Sequence, residues 1–133
     1  MDPSQINVLA VGVAALSSFL IGGLWYSPIL FAKAWMREAG LTEDELRANV
    51  ARTFGIAFVM AVIIAVNLAF FLGPDAGLGW GATAGALAGV GWVMPSIATT
   101  FAFERRSGML ILIDGGYHGV AYAVMGAIIG GWP

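Results

Sequence analysis

The chain of 133 residues contains no cysteine, which excludes disulfides, thiolate metal sites and cysteine nucleophiles. Charge is scarce too: Asp, Glu, Lys and Arg make up 11% of the residues and only six of them are basic. A nucleic-acid partner needs a clustered basic face, and six scattered cations with a net charge of -2 do not supply one. With one histidine, a metal site of three or four ligands is not expected within one chain, and no motif implies a cofactor. The opening residues, Met1-Asp2-Pro3-Ser4, lack the basic n-region of a cleavable signal peptide, so the first apolar run is expected to be retained. What remains is 59% hydrophobic residues, 19 glycines and a mean hydropathy of +0.86, too little polar surface to clothe a soluble core of this size. A membrane protein is indicated, with the lipid bilayer as its first partner.

The apolar runs predict an all-α membrane four-helix bundle, one transmembrane domain over residues 1–133. A span needs about 20 apolar residues, and four runs qualify, at about 6–28, 53–72, 80–103 and 109–130. Residues 29–52 form the one sizeable hydrophilic stretch, an amphipathic segment in which Lys33, Arg37 and Glu38 alternate with Phe31, Trp35 and Met36. Gly40 punctuates it, and Thr42-Glu43-Asp44-Glu45 has the form of a capping box that starts a new helix. Small residues recur at every fourth position in each span: Ala10, Ala14, Ser18 and Gly22; Ala57, Ala61, Ala65 and Ala69; Gly81, Gly85 and Gly89; Gly115, Gly119, Ala123 and Ala127. Such stripes let helices approach closely, within one subunit or between copies. So much small-residue surface on four short spans predicts a homo-oligomer, most simply a dimer.

All six Lys and Arg residues fall in the first and third loops, namely Lys33, Arg37, Arg47, Arg52, Arg105 and Arg106. The positive-inside rule then makes those loops cytoplasmic and turns both termini outward. An internal repeat is also visible. Gly22-x-x-Trp25-x-x-Pro28 recurs as Gly89-x-x-Trp92-x-x-Pro95, a shift of 67 positions (92 minus 25). It predicts two helix pairs in the same orientation, with spans one and three both continuing as Pro-kinked helices past Pro28 and Pro95. In span three, Ser96, Thr99 and Thr100 are at hand to satisfy the carbonyl that Pro95 frees.

Leu24-Trp25-Tyr26-Ser27-Pro28, Lys33-Ala34-Trp35-Met36, Gly40-Leu41-Thr42 and Gly115-Gly116-Tyr117-His118 together resemble a family of small bacterial four-span membrane proteins, domain of unknown function 1761. The resemblance covers nearly the whole chain. It implies a four-span architecture in the bacterial inner membrane, and it implies no activity and no catalytic residue.

Ionisable chemistry inside apolar sequence occurs in one place. Asp114, His118 and Tyr122 lie four apart on one helical stripe, with Tyr117 beside it. A titratable group at the bilayer centre costs roughly 2.5 to 3.5 kcal/mol on insertion scales, so it faces a partner, a cavity or a pathway. Ser96, Thr99 and Thr100 lie at a depth similar to that of Asp114. One reading has Asp114 accepting hydrogen bonds from those hydroxyls or from Arg105 or Arg106, with His118 bridging helices. The other makes Asp114, Tyr117, His118, Tyr122 and the three hydroxyls a site for a small ion or solute in the cytoplasmic half, with Asp114 attracting a cation or proton and His118 relaying it. Ser96 or Thr100 with His118 and Asp114 has residue types known from hydrolases but no supporting turn motif, so no enzyme is indicated. Trp25, Pro28, Trp92, Pro95, Gly85, Gly89, Gly115 and Gly119 are assigned to kinks and packing. The function expected is a transporter or channel-like protein, and the rival is a structural or accessory subunit of a larger membrane assembly.

Overall fold

The computed structural model describes residues 2–133, and all regular structure among them is helical. Four helical spans are long and apolar enough to cross a membrane, as a multi-pass membrane protein requires. The first is α1 (Val8–Trp25), started by Asn7, whose side chain accepts the Ala10 N–H at 3.1 Å. Two short helices follow, α2 (Ala32–Ala39) and α3 (Glu43–Arg47). Gly40 ends α2 at a φ of +69°, which an L side chain rarely adopts, and Thr42 caps α3 by accepting the Glu45 N–H at 3.2 Å. The second span is α4 (Val50–Leu72). The third is α5 (Leu78–Ala88), a wide π turn over Gly89–Val93, and α6 (Met94–Phe103) in unbroken succession. The fourth is α7 (Gly108–Gly130), capped by Ser107.

The two Trp-x-x-Pro segments, alike in sequence, differ in structure. Span three passes Pro95 as predicted. The π turn just upstream, in which the Met94 N–H reaches the Gly89 carbonyl, makes room for the proline ring without breaking the helix. Span one does not continue as a kinked helix through Pro28; it stops at Trp25. Ser27 accounts for the stop: its hydroxyl and its N–H both turn back to the Leu24 carbonyl, at 2.6 and 3.2 Å, and the Phe31 N–H closes a wider loop on the Trp25 carbonyl at 3.1 Å. Pro28 has no N–H with which to resume the ladder. Both predicted helix pairs form, α1 with α4 and α5 with α7, but the contacts between the pairs are not equivalent. α7 packs on α1, but the matching pair, α4 on α5, is separated by a cleft.

α7 is the hub, touching every other span. Its contact with α5 brings backbone against backbone. A Cβ added at Gly81 or Gly85 would overlap the carbonyl of Gly126 or Tyr122, and one at Gly89 would lie 2.8 Å from the Cα of Gly119. At the far end the Gly77 N–H donates to the Gly130 carbonyl at 2.9 Å, tying the two helices directly. On the other side, Ala14 of α1, Ala65 and Ala69 of α4, and Ala121 and Met125 of α7 form the main apolar core. The small-residue stripes from which a homo-oligomer is predicted are thus largely consumed inside one chain. Ala57 is the exception: residues 50–60 of α4 are all exposed, and at this end, which carries the basic loops, the helix meets α1 through the rings of Phe54 and Phe58 against Phe19, at centroid distances of 6.2 and 6.1 Å.

Candidate functional site

Where α1 ends, two aromatic side chains reach across to the beginning of α7. Trp25 Nε1 donates to the Ile113 carbonyl at 2.8 Å, and Tyr26 Oη donates to Asp114 Oδ1 at 2.7 Å. Gly116 leaves room for the indole, since a Cβ there would sit 3.1 Å from Trp25 Cζ2. One turn further along α7, Tyr117 Oη donates to the Ser18 carbonyl at 3.0 Å, its ring lying over Gly22. Three hydrogen bonds therefore lock α1 to α7 in one register. The half-buried Asp114 carboxylate receives one of them, the kind of bond to a charged acceptor worth about 1.5 to 3 kcal/mol. The start of α2 carries this further: Phe31 and Trp35 pack their rings 4.9 and 4.7 Å from those of Trp25 and Tyr26, so the amphipathic segment folds back over the latch.

The predicted stripe divides into a latch and a wall. Asp114 belongs to the latch. Tyr117, His118 and Tyr122 line a cavity of about 620 Å³ between α1, α4 and α7, which Tyr26 and Trp35 also border. The His118 ring stands edge-on between Tyr117 and Tyr122, at centroid distances of 5.0 and 6.4 Å, and has no hydrogen-bond partner among the described residues. No Asp, Glu, Lys or Arg lines this cavity; beyond the tyrosines, His118, Ser18 and Thr53, its walls are apolar.

The three span-three hydroxyls are not part of this arrangement. Ser96, Thr99 and Thr100 are exposed on α6 and bond back to their own helix, to the carbonyls of Trp92, Pro95 and Ser96 at 2.6, 2.9 and 3.2 Å. Neither they nor an arginine holds Asp114 by a hydrogen bond; Arg106 pairs instead with Glu104 at 3.6 Å. Asp114 took its partner from Tyr26, a residue that spacing along α7 alone could not reveal. Gly85, Gly89, Gly115 and Gly119 lie at close approaches, where an added Cβ would meet the α7 backbone at the first two, Met94 at the third and Val90 at the fourth. Trp92, exposed on the bundle's flank, meets Phe71 of α4 edge to face at 6.0 Å, whereas its repeat partner Trp25 is hydrogen-bonded inside. Among the described residues there is no group of three or more His, Asp or Glu that could hold a metal ion.

A family model described as protein of unknown function (DUF1761) matches residues 9–130, which takes in the four spans except Val8 and includes both aromatic motifs. No curated protein and no solved structure matches the chain.

Proposed function

The chain belongs to the DUF1761 family, whose description names no activity, and we propose from the geometry alone that it is a transporter for a small uncharged amphipathic solute bound in the α1–α4–α7 cavity. The observation that carries this reading is His118: an unpartnered imidazole on the wall of a 620 Å³ cavity, flanked by two phenols, with no Asp, Glu, Lys or Arg among the residues that line it. Cavities of this size, lined by apolar and aromatic groups with a few convergent polar atoms, suit a small organic ligand. A hydrated cation would find no carboxylate there, because Asp114 is engaged by Tyr26 and lies outside the lining. In this reading Asp114 is a positioning residue that holds Tyr26 and the mouth of the cavity in place. On the same reading the protein lies in a bacterial inner membrane, and the positive-inside rule, applied to the basic residues of the first and third loops, supports a cytoplasmic position for the exposed end of α4.

Photolabelling tests the proposal. A neutral diazirine-bearing alcohol of about ten carbons, irradiated in proteoliposomes, is expected to cross-link near Tyr117–Tyr122 and Met60–Ile64 and to lose most of that labelling in His118→Ala. Labelling spread evenly over the exposed positions Leu16, Leu20 and Leu112, with no effect of His118→Ala, contradicts it and favours an accessory subunit. Protein-dependent proton or potassium flux that vanishes in Asp114→Asn contradicts it in the other direction, in favour of an ion pathway.

A further inference from the structure

A second cavity, of about 690 Å³, fills the cleft between α4 and α5. Asn67, Phe71 and Leu72 of α4 and Trp80 and Ala84 of α5 border it, and it too is free of Asp, Glu, Lys and Arg. Ile64 of α4 and Tyr122 of α7 line both this cavity and the first. Each of the two lies 14 residues into its helix (64 minus 50, 122 minus 108), about 21 Å along the bundle from the basic loops at 1.5 Å per residue. On one side of that level the first cavity runs towards Leu46 and Val50; on the other, the second runs towards Leu72 and Trp80. The two chambers therefore follow one another along the bundle, overlapping near that level where the first reaches Met125 and the second Gly91–Val93, and they share this pair of side chains.

We propose that Ile64 and Tyr122 form a gate between two half-routes, each open to one side of the membrane, through which the uncharged solute passes. This rests on the transport reading above. α4 supplies the moving wall. It is anchored through Ala61, Ala65, Leu68 and Ala69, but over residues 50–60 it is exposed, held to α1 there by the rings of Phe54 and Phe58 against Phe19, and it is parted from α5 by the cleft. A small rotation of α4 about its own axis at that level changes the overlap of Ile64 with Tyr122 while the α5–α7 contact stays as it is. Tyr122 is suited to its place. Its ring closes the gap and its hydroxyl offers a hydrogen bond to a solute leaving His118, so the polar group of an amphipathic molecule need not be stripped of partners midway.

The chain's natural lack of cysteine makes the test clean. Ala57→Cys reports on the first chamber and Ala84→Cys on the second. Each variant, in sealed right-side-out and inverted membrane vesicles, is treated with the membrane-impermeant reagent 2-(trimethylammonium)ethyl methanethiosulfonate. Modification of Ala57→Cys from the basic-loop side only, and of Ala84→Cys from the opposite side only, is expected. Adding Ile64→Ala is expected to raise the wrong-side rate by roughly tenfold or more, the factor that about 1.4 kcal/mol of lost barrier gives, while Ile64→Trp keeps both cysteines one-sided. Reaction of both cysteines from the same side in the otherwise native chain overturns the gate, as does an unchanged wrong-side rate in an Ile64→Ala protein that elutes as folded. Reaction with lipophilic N-phenylmaleimide but with the charged reagent from neither side also overturns it, showing chambers filled by lipid. That result leaves the photolabelling test of the binding site to stand or fall separately.

Discussion

The α5–α7 seam and the surroundings of α4 are built from similar sequence and behave differently. Both carry a small residue at every fourth position, Gly81, Gly85 and Gly89 in one helix and Ala57, Ala61, Ala65 and Ala69 in the other. Glycine lets the backbones of α5 and α7 touch, down to a hydrogen bond between Gly77 and Gly130. Alanine keeps one methyl between helices; α4 is held over half its length, and at its exposed end and beside α5 it leaves chambers of about 620 and 690 Å³. The lesson is that a four-residue stripe of small side chains does not say how close two helices come. One carbon atom per turn separates a rigid pair from a cavity wall.

The contrast breaks most severely at the seam. Gly85→Ala would push a methyl into the Tyr122 carbonyl, which belongs to a helix backbone and has no room to yield. Overpacking costs typically about 1 to 3 kcal/mol and here should reach or pass the upper figure, read as loss of monodisperse protein in size exclusion and of helicity in denaturant titration. At the latch the effect is intermediate. Tyr26→Phe leaves the half-buried Asp114 carboxylate without its donor and should cost about 1 to 3 kcal/mol in the same titration. Asp114→Asn keeps an acceptor for Tyr26 and removes the charge, so its cost is expected within about 1 kcal/mol. Equal losses in the two variants would show that the hydrogen bond is not what secures the carboxylate. The smallest effect belongs to Gly12→Ala in α1, where a Cβ meets nothing within 4 Å. It should be neutral or stabilise by about 0.5 to 1 kcal/mol through reduced backbone freedom.

Much of the fold was legible in the sequence because membrane spans are set by length and apolarity, two properties that need no tertiary information. The four predicted spans overlap the observed helices to within a few residues, and the break at Gly40 and the cap at Thr42 are where their residue types put them. Pro28 shows where local reading ended. The same Trp-x-x-Pro spelling gives a chain turn in one place and a continuous helix in the other, because Ser27 captures the Leu24 carbonyl in the first and a glycine-rich π turn precedes the proline in the second. In the candidate site, helical spacing alone grouped Tyr117, His118 and Tyr122, and the three line one cavity wall. It could not see Tyr26, 88 residues from Asp114, nor that Ser96, Thr99 and Thr100 turn back onto their own helix. Depth along a span is readable from counting residues; the direction a side chain faces depends on which neighbour the helix has found.

The central claim is that α4 is the mobile wall of a bundle whose α5–α7 half is rigid, and spin-label distances in lipid nanodiscs test it most directly. In the cysteine-free chain, paired labels at Leu87 and Leu112 span the seam, and labels at Val59 and Leu112 span the α4 side, all at exposed positions. A narrow distribution for the first pair and a broad or two-peaked one for the second is the predicted result. Distributions of equal width would contradict the account, because the cavities would then lie in a uniformly stiff bundle with nothing to open between them.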